Sequence, residues 1–245
     1  WDGKVLGTLR ELMTRPGQLT VDFLAGRRAR WLPPFRLYLI ASIAYFVSVP
    51  AAEFITHRKP TAITKVTLPD SLLTPVGDSV GRDRRLKPEV AAQLDDSPLG
   101  RVLPAARIER VLNQRQELDH AIRAAMPKMM FVLLPVFALL LRVAWRDRFR
   151  SYVPHLYFSI HVHAFTFMAL LLRVVLGLLG SKRVDQFASL VFVVALVWYA
   201  FTALRRVYGG PLWRTLVKGT AVGVVYCSVF LISIVALAII TVLVF

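Results

Sequence analysis

Three histidines, His155, His161 and His163, lie inside one long apolar stretch. A titratable ring in such a setting is costly, and it faces protein or water rather than lipid. An imidazole there could ligate a metal or haem, carry a proton, or hydrogen-bond a neighbouring helix. Spacing restricts the first option. At about 100° per residue, His161 and His163 point to nearly opposite sides of a helix, so one ion cannot take both. His155 and His163 share nearer faces but stand about 12 Å apart along the axis. Any ion would need ligands from another helix, and the supply is thin. His57 and His120 lie in a long loop, and Cys227, in the last apolar run, is the single cysteine. No metal and no cofactor is expected, and the three rings stay the weak candidates for cofactor binding.

Acid–base chemistry has less support still. The last four apolar runs contain no Asp or Glu, and Glu53, at the end of the first, is the one carboxylate at a membrane edge. Arg173 is its counterpart near the end of the third run, and pairing would offset part of the desolvation of both. There is no Walker loop, dinucleotide fingerprint, serine elbow or HExxH motif. A non-catalytic protein is the expectation.

The elements that position these residues are membrane spans. The chain is 56% hydrophobic with mean hydropathy +0.55, and its charges are gathered in blocks. A bilayer core takes roughly 20 apolar residues per helix. Five segments qualify: Phe35–Ile55, Met129–Trp145, Pro154–Leu179, Phe187–Leu204 and Thr215–Val244. None alternates in the manner of a β-barrel strand. The fold class is therefore all-α, a polytopic helical membrane protein with amphipathic helices on both faces. By domain, residues 1–34 form an interfacial segment, 35–55 the first span, 56–127 an external loop and 128–245 a four-helix region.

Orientation follows from Lys and Arg. With the N-terminus inside, the inner segments hold 15 basic residues against four acids (Asp2, Glu11, Asp22 and Asp147). The long loop from Thr56 to Lys128 carries 13 basic and nine acidic residues, and loops of that length obey the rule poorly. The reading is N-terminus cytoplasmic, C-terminus external. The net charge of +16 is accounted for by this inner-face signal and by attraction to anionic lipid, without nucleic acid.

Before the first span, Val5, Leu6, Leu9, Leu12 and Met13 recur at helical spacing, and Arg15-Pro16-Gly17 stops that helix. A second short helix runs through Leu19, Phe23 and Leu24 to Gly26. Arg27, Arg28, Arg30, Trp31 and Arg36 then form a basic-aromatic collar. It reads as an interfacial anchor or as a specific anionic-ligand site. In the external loop, Thr56 to about Ser97 reads as irregular. From Pro104 to Met126, Ile108, Val111, Leu112, Leu118, Ile122 and Ala125 mark an amphipathic helix, with an Asp119–Arg123 pair one turn apart. That helix lies on the outer surface or extends the second span, and its apolar stripe could equally meet a partner protein. Gly219 and Gly223 form a GxxxG that lets another backbone approach, from this chain or another.

Two stretches carry a resemblance. Arg15-Pro16-Gly17, Phe23-Leu24-Ala25-Gly26-Arg27-Arg28-Ala29-Arg30 and Pro34-Phe35-Arg36-Leu37-Tyr38-Leu39 resemble the start of the DUF3667 family of bacterial integral membrane proteins. The run Tyr152–Phe165, with its histidines, is similar to that family's third span. The resemblance implies a topology and an inner-membrane location, and no activity. Family members often carry a cysteine-paired zinc ribbon ahead of this region. This chain has no such cysteines, so the ribbon is either lost or lies upstream of Trp1, where the start without Met leaves room for it.

Function reads best as an accessory, scaffold or assembly subunit of a larger membrane complex, a bioenergetic one included, with lipid and other membrane subunits as partners. The alternative is a membrane enzyme or cofactor carrier built on the His-rich third span. A transporter is weakest, since five spans show neither internal repeats nor paired broken helices.

Overall fold

In the computed structural model, residues 2–56, 73–75, 84–98, 104–106, 108–109, 115–178 and 182–244 are described. Eight helices are found among them: α1 (Asp2–Thr14), α2 (Gln18–Leu24), α3 (Pro34–Thr56), α4 (Pro88–Asp95), α5 (Arg115–Ala144), α6 (Val153–Gly177), α7 (Lys182–Tyr208) and α8 (Leu212–Val244). Two short strands, β1 (Leu73–Pro75) and β2 (Arg84–Leu86), pair antiparallel with Leu73 opposite Leu86.

Five helical stretches are long and apolar enough to cross a membrane: Pro34–Thr56, Ala121–Ala144, Val153–Gly177, Gln186–Tyr208 and Leu212–Thr241. They match the five segments expected from the apolar runs, with most ends shifted by one to four residues and the second span starting eight residues earlier, at Ala121. Their surfaces fit the same reading. Val193, Val194, Val197 and Trp198 on α7 are exposed, as are Leu231 and Ile232 on α8. A continuous apolar exterior of this kind is stable only against lipid or another apolar surface. The protein is a polytopic helical membrane protein.

The chain divides into two compact units. In the first (Trp1–Pro60 and Pro127–Phe230), α6 is the central helix. It runs against α3 and α7, and the short α2 packs on both α6 and α7. The core contains Leu37, Tyr38, Phe158, Phe165, Tyr199 and Tyr208. Phe165 and Tyr199 stack nearly parallel, their ring centres 3.5 Å apart.

The N-terminal helix turns differently from the simplest reading of its apolar positions. Leu12 is buried and Val5, Leu9 and Met13 pack on the core, but Leu6 is 69% exposed. Thr8 is buried in the face instead. Its hydroxyl donates to Lys4 O (2.6 Å) and accepts the Leu32 N–H (3.1 Å). That N–H precedes Pro33-Pro34, and Thr8 supplies the acceptor that burial demands.

In the second unit (Thr61–Met126 and Leu231–Phe245), the stretch read as irregular holds β1, β2 and α4. Pro88 at the first helical position and Glu89 in the first turn start α4, as their fixed φ and charge favour. Val90, Ala91 and Leu94 then pack with Ile108 around Leu86 and Ala105. The amphipathic pattern after Pro104 begins as one turn, with Ile108 N–H donating to Pro104 O. Further on, it is continuous with the second span, since α5 starts at Arg115 and passes through Pro127 and Pro135. The side chains of Asp119 and His120, and residue His57, lie outside the described residues.

Candidate functional site

The three histidines project from α6 in three directions, as their spacing requires, and each meets a different element. His155 is fully buried. Its Nε2 lies 3.2 Å from Phe149 O, a group that can only accept, so Nε2 carries the proton. Nδ1 is then the acceptor, and it takes the Tyr208 hydroxyl of α7 at 2.9 Å. His163 has the opposite tautomer by the same logic. Its Nδ1–H donates to Ser159 O one turn back (2.8 Å), and Nε2 accepts from the Tyr226 hydroxyl of α8 (2.7 Å). Phe137 of α5 packs edge-on against the His163 ring, and tilted on Tyr226.

His161 faces α2. Its Nδ1 is 2.8 Å from Thr20 Oγ1, both groups being buried, and the Phe23 ring leans on it at 5.6 Å. Its Nε2 is buried with no hydrogen-bond partner among the described residues. So His155 and His163 have both nitrogens committed, and neither has a lone pair to give an ion. Only His161, of the three, has a ring nitrogen without a protein partner among the described residues. No group of three or more His, Cys, Asp or Glu able to hold a metal occurs among the described residues, and Cys227 is exposed on α8. The arrangement ties helices together at three points. Ser159 adds a fourth, donating from its hydroxyl to Leu134 O of α5 at 2.8 Å.

A second polar centre sits at the base of α2. Gly26, at φ +78°, ends that helix in the left-handed conformation. Gly26 N–H donates to Phe23 O, and Arg27 N–H donates to Asp22 O at 2.9 Å. This Schellman closure turns the chain back on the last helical turn, as only glycine allows cheaply. The arginines of the collar therefore arrive over Asp22. Asp22 Oδ1 accepts from Gln18 Nε2 (2.9 Å) and from Arg27 Nη2 (2.7 Å). Oδ2 accepts from Arg30 Nη2 (3.0 Å) and Trp31 Nε1 (2.8 Å). The Asp22 side chain is 1% exposed. Burial by itself would push its carboxyl up. The hydrogen bonds from Arg27, Trp31, Gln18 and Arg30 outweigh it and bring the group down to about 2.

The collar is thus more than an anchor of snorkelling side chains. Arg27, Arg30 and Trp31 are bonded to a carboxylate that the charge count had treated as one acid among four. Arg28 donates from Nε to Phe23 O (3.2 Å), and its guanidinium lies 5.9 Å from the centre of the Tyr157 ring. Arg36 is exposed in the first turn of α3. Arg173, on α6, donates from Nε to Ser189 Oγ of α7 at 3.1 Å. Glu53 is half-buried near the end of α3, so the two residues of the expected charge pair stand on helices that pack together. The GxxxG glycines separate in environment. A Cβ on Gly219 would meet Leu204 Cδ1 at 3.2 Å, whereas one on Gly223 would have nothing within 4 Å. Gly219 thus lets α8 approach α7 of the same chain.

These joints and spans define the class: a helical membrane protein whose described interior polar groups link one helix to another. Residues 2–46 match the family described as "Protein of unknown function (DUF3667)". The match runs from α1 through the Asp22 centre into α3, the region where the resemblance begins. It stops short of the histidines. No curated protein and no solved structure matches the chain.

Proposed function

We propose that the chain is a non-catalytic membrane subunit that helps assemble or brace a larger membrane complex, with lipid and other membrane proteins as its partners. The observation that carries this reading is that His155 and His163 have both ring nitrogens bonded, one of each joining α6 to α7 through Tyr208 and to α8 through Tyr226. Groups fixed in that way cost energy to free, so they serve position rather than turnover. The reading includes a bacterial inner membrane, which the DUF3667 resemblance implies, and an N-terminus cytoplasmic, C-terminus external orientation, from the excess of Lys and Arg in the inner segments.

The second reading, a membrane enzyme or cofactor carrier, draws on His161, whose Nε2 is buried without a protein partner among the described residues. Native purification distinguishes the two. The first predicts stoichiometric co-purifying membrane proteins, no visible absorbance and no bound metal. It also predicts that His163→Leu, if folded, keeps those partners while losing about 1–3 kcal/mol of stability, the usual cost of orphaning a buried hydroxyl. A metal or chromophore that disappears with His161→Leu would overturn it.

Orientation has its own test. Cysteine placed at Ser151 should resist a membrane-impermeant thiol reagent in intact cells, and cysteine at Ser97 should react. The reverse pattern inverts the topology.

A further inference from the structure

The turn between α2 and α3 gathers more positive charge than its one carboxylate balances. Arg27 and Arg30 share Asp22. Lys4, from α1, donates to Ala29 O at 3.0 Å. Arg28 is held by Phe23 O and lies over Tyr157, and among the described residues no carboxylate is within ion-pair distance of it. Four cations converge on this turn against one buried anion. They are not free to swing. Each is fixed by a hydrogen bond to the turn or to Asp22, and the side chains of Arg27 and Arg30 remain 55% and 62% exposed. Arg28 spends only Nε inside the protein, so its Nη groups are left as donors.

The location narrows the ligand. Leu32-Pro33 leads directly into α3, a candidate span, whose exposed Phe35, Leu39 and Ile40 begin an apolar surface. A fixed set of guanidinium forks at the end of a span lies at the depth of lipid phosphates, with room for acyl chains alongside. A zwitterionic headgroup would bring its own ammonium against the surplus cations. An anionic phosphodiester would not.

We propose that this turn is a preorganised binding site for the headgroup of an anionic phospholipid, with Arg28 as the principal phosphate donor, Arg27, Arg30 and Lys4 flanking it, and Asp22 as the residue that holds the arginines in place. The proposal stands independently of the subunit reading above. It differs from general attraction of basic protein to acidic membrane in one respect: removing a negative charge should weaken binding.

The test uses the full chain purified in a neutral detergent, with native mass spectrometry after addition of phosphatidylglycerol or phosphatidylcholine. Wild type is expected to retain phosphatidylglycerol in preference to phosphatidylcholine. Asp22→Asn adds one unit of positive charge, yet it should bind phosphatidylglycerol about tenfold more weakly, because the arginines lose their common anchor. Arg28→Gln, which leaves the Asp22 centre intact, should lose about tenfold as well, the effect of one charge-assisted hydrogen bond. Arg205→Gln, an exposed cation in the last turn of α7 with no hydrogen bond or ion pair to this turn among the described residues, should change nothing. Equal or tighter binding by folded Asp22→Asn overturns the proposal, since diffuse attraction would then suffice. If Asp22→Asn does not fold, Arg28→Gln decides, and unchanged binding there overturns it. Inorganic phosphate that displaces the lipid at equal concentration would also overturn it, assigning the turn to a soluble anion.

Discussion

Asp22→Asn is expected to lower stability by about 2 kcal/mol at neutral pH and to abolish one component of the acid sensitivity of the fold. The magnitude follows from linkage. A carboxyl at about 2 in the native state, against an ordinary value near 3.8 when unfolded, contributes about 2 kcal/mol wherever both states are ionised. The sign is that of a depressed group. The contribution is complete above pH 4 and is lost as the pH falls from about 4 to about 2, where the native carboxylate itself takes a proton. Above that window the wild type should be the more stable. Near pH 2 the two proteins should converge, because Asn presents an amide that does not titrate. Asp22→Ala should cost more, about 3–5 kcal/mol, since Arg27, Arg30 and the Trp31 N–H then lose their acceptor altogether. Thermal unfolding in detergent across pH 2–7 reads all three. A difference between wild type and Asp22→Asn that stays constant down to pH 2 would refute the account.

How much of this could be read in the chain divides along physical lines. The spans could, because the cost of exposing backbone and charge to hydrocarbon writes itself into one dimension as apolar length. The opposed directions of His161 and His163 could, because they depend only on helical pitch. Which neighbour each ring meets could not. That depends on how the helices rotate about their axes when they pack, and no local pattern records it. Tyr208 and Tyr226, the partners of His155 and His163, were missed for this reason, although a tyrosine in or beside a span has a hydroxyl that needs a partner. Asp22 was missed for a different one. Charge counting treats every acid alike, yet an Asp four residues ahead of Gly26, with Arg immediately after that glycine, is a local signal that a Schellman turn will fold the arginine back over the acid. Thr8 is the same lesson in small. A hydroxyl on an otherwise apolar face marks a place where a buried N–H, here that of Leu32, must be satisfied. In the long loop the prolines read as breakers, whereas Pro88 opens a helix.

Gly17→Ala should be the most damaging single methyl addition at the N-terminal end, costing about 3 kcal/mol. Two effects combine. Gly17 has φ +76°, a conformation that costs an L-residue roughly 1–2 kcal/mol. In addition, a Cβ there would stand 2.9 Å from Ala203 O and 3.0 Å from Ala203 Cα. Both atoms belong to the backbone of α7, so no side-chain rotation relieves the contact, and overpacking of this kind costs about 1–3 kcal/mol. The relief available is withdrawal of α2 from α7. That movement would stretch the bond from Arg206 Nη1 to Pro16 O, now 2.7 Å, and the Thr20–His161 bond behind it. Gly26→Ala provides the control. Its φ is +78° and a Cβ there would have nothing within 4 Å, so it carries the strain without the clash and should cost about 1 kcal/mol. Thermal unfolding gives the two costs, and limited proteolysis after Arg15 and Arg27 reports whether α2 has come away. Gly17→Ala should be cut faster than wild type at both sites. Equal stability losses for the two variants would mean that the approach of α2 to Ala203 does not set the docking of the N-terminal helices.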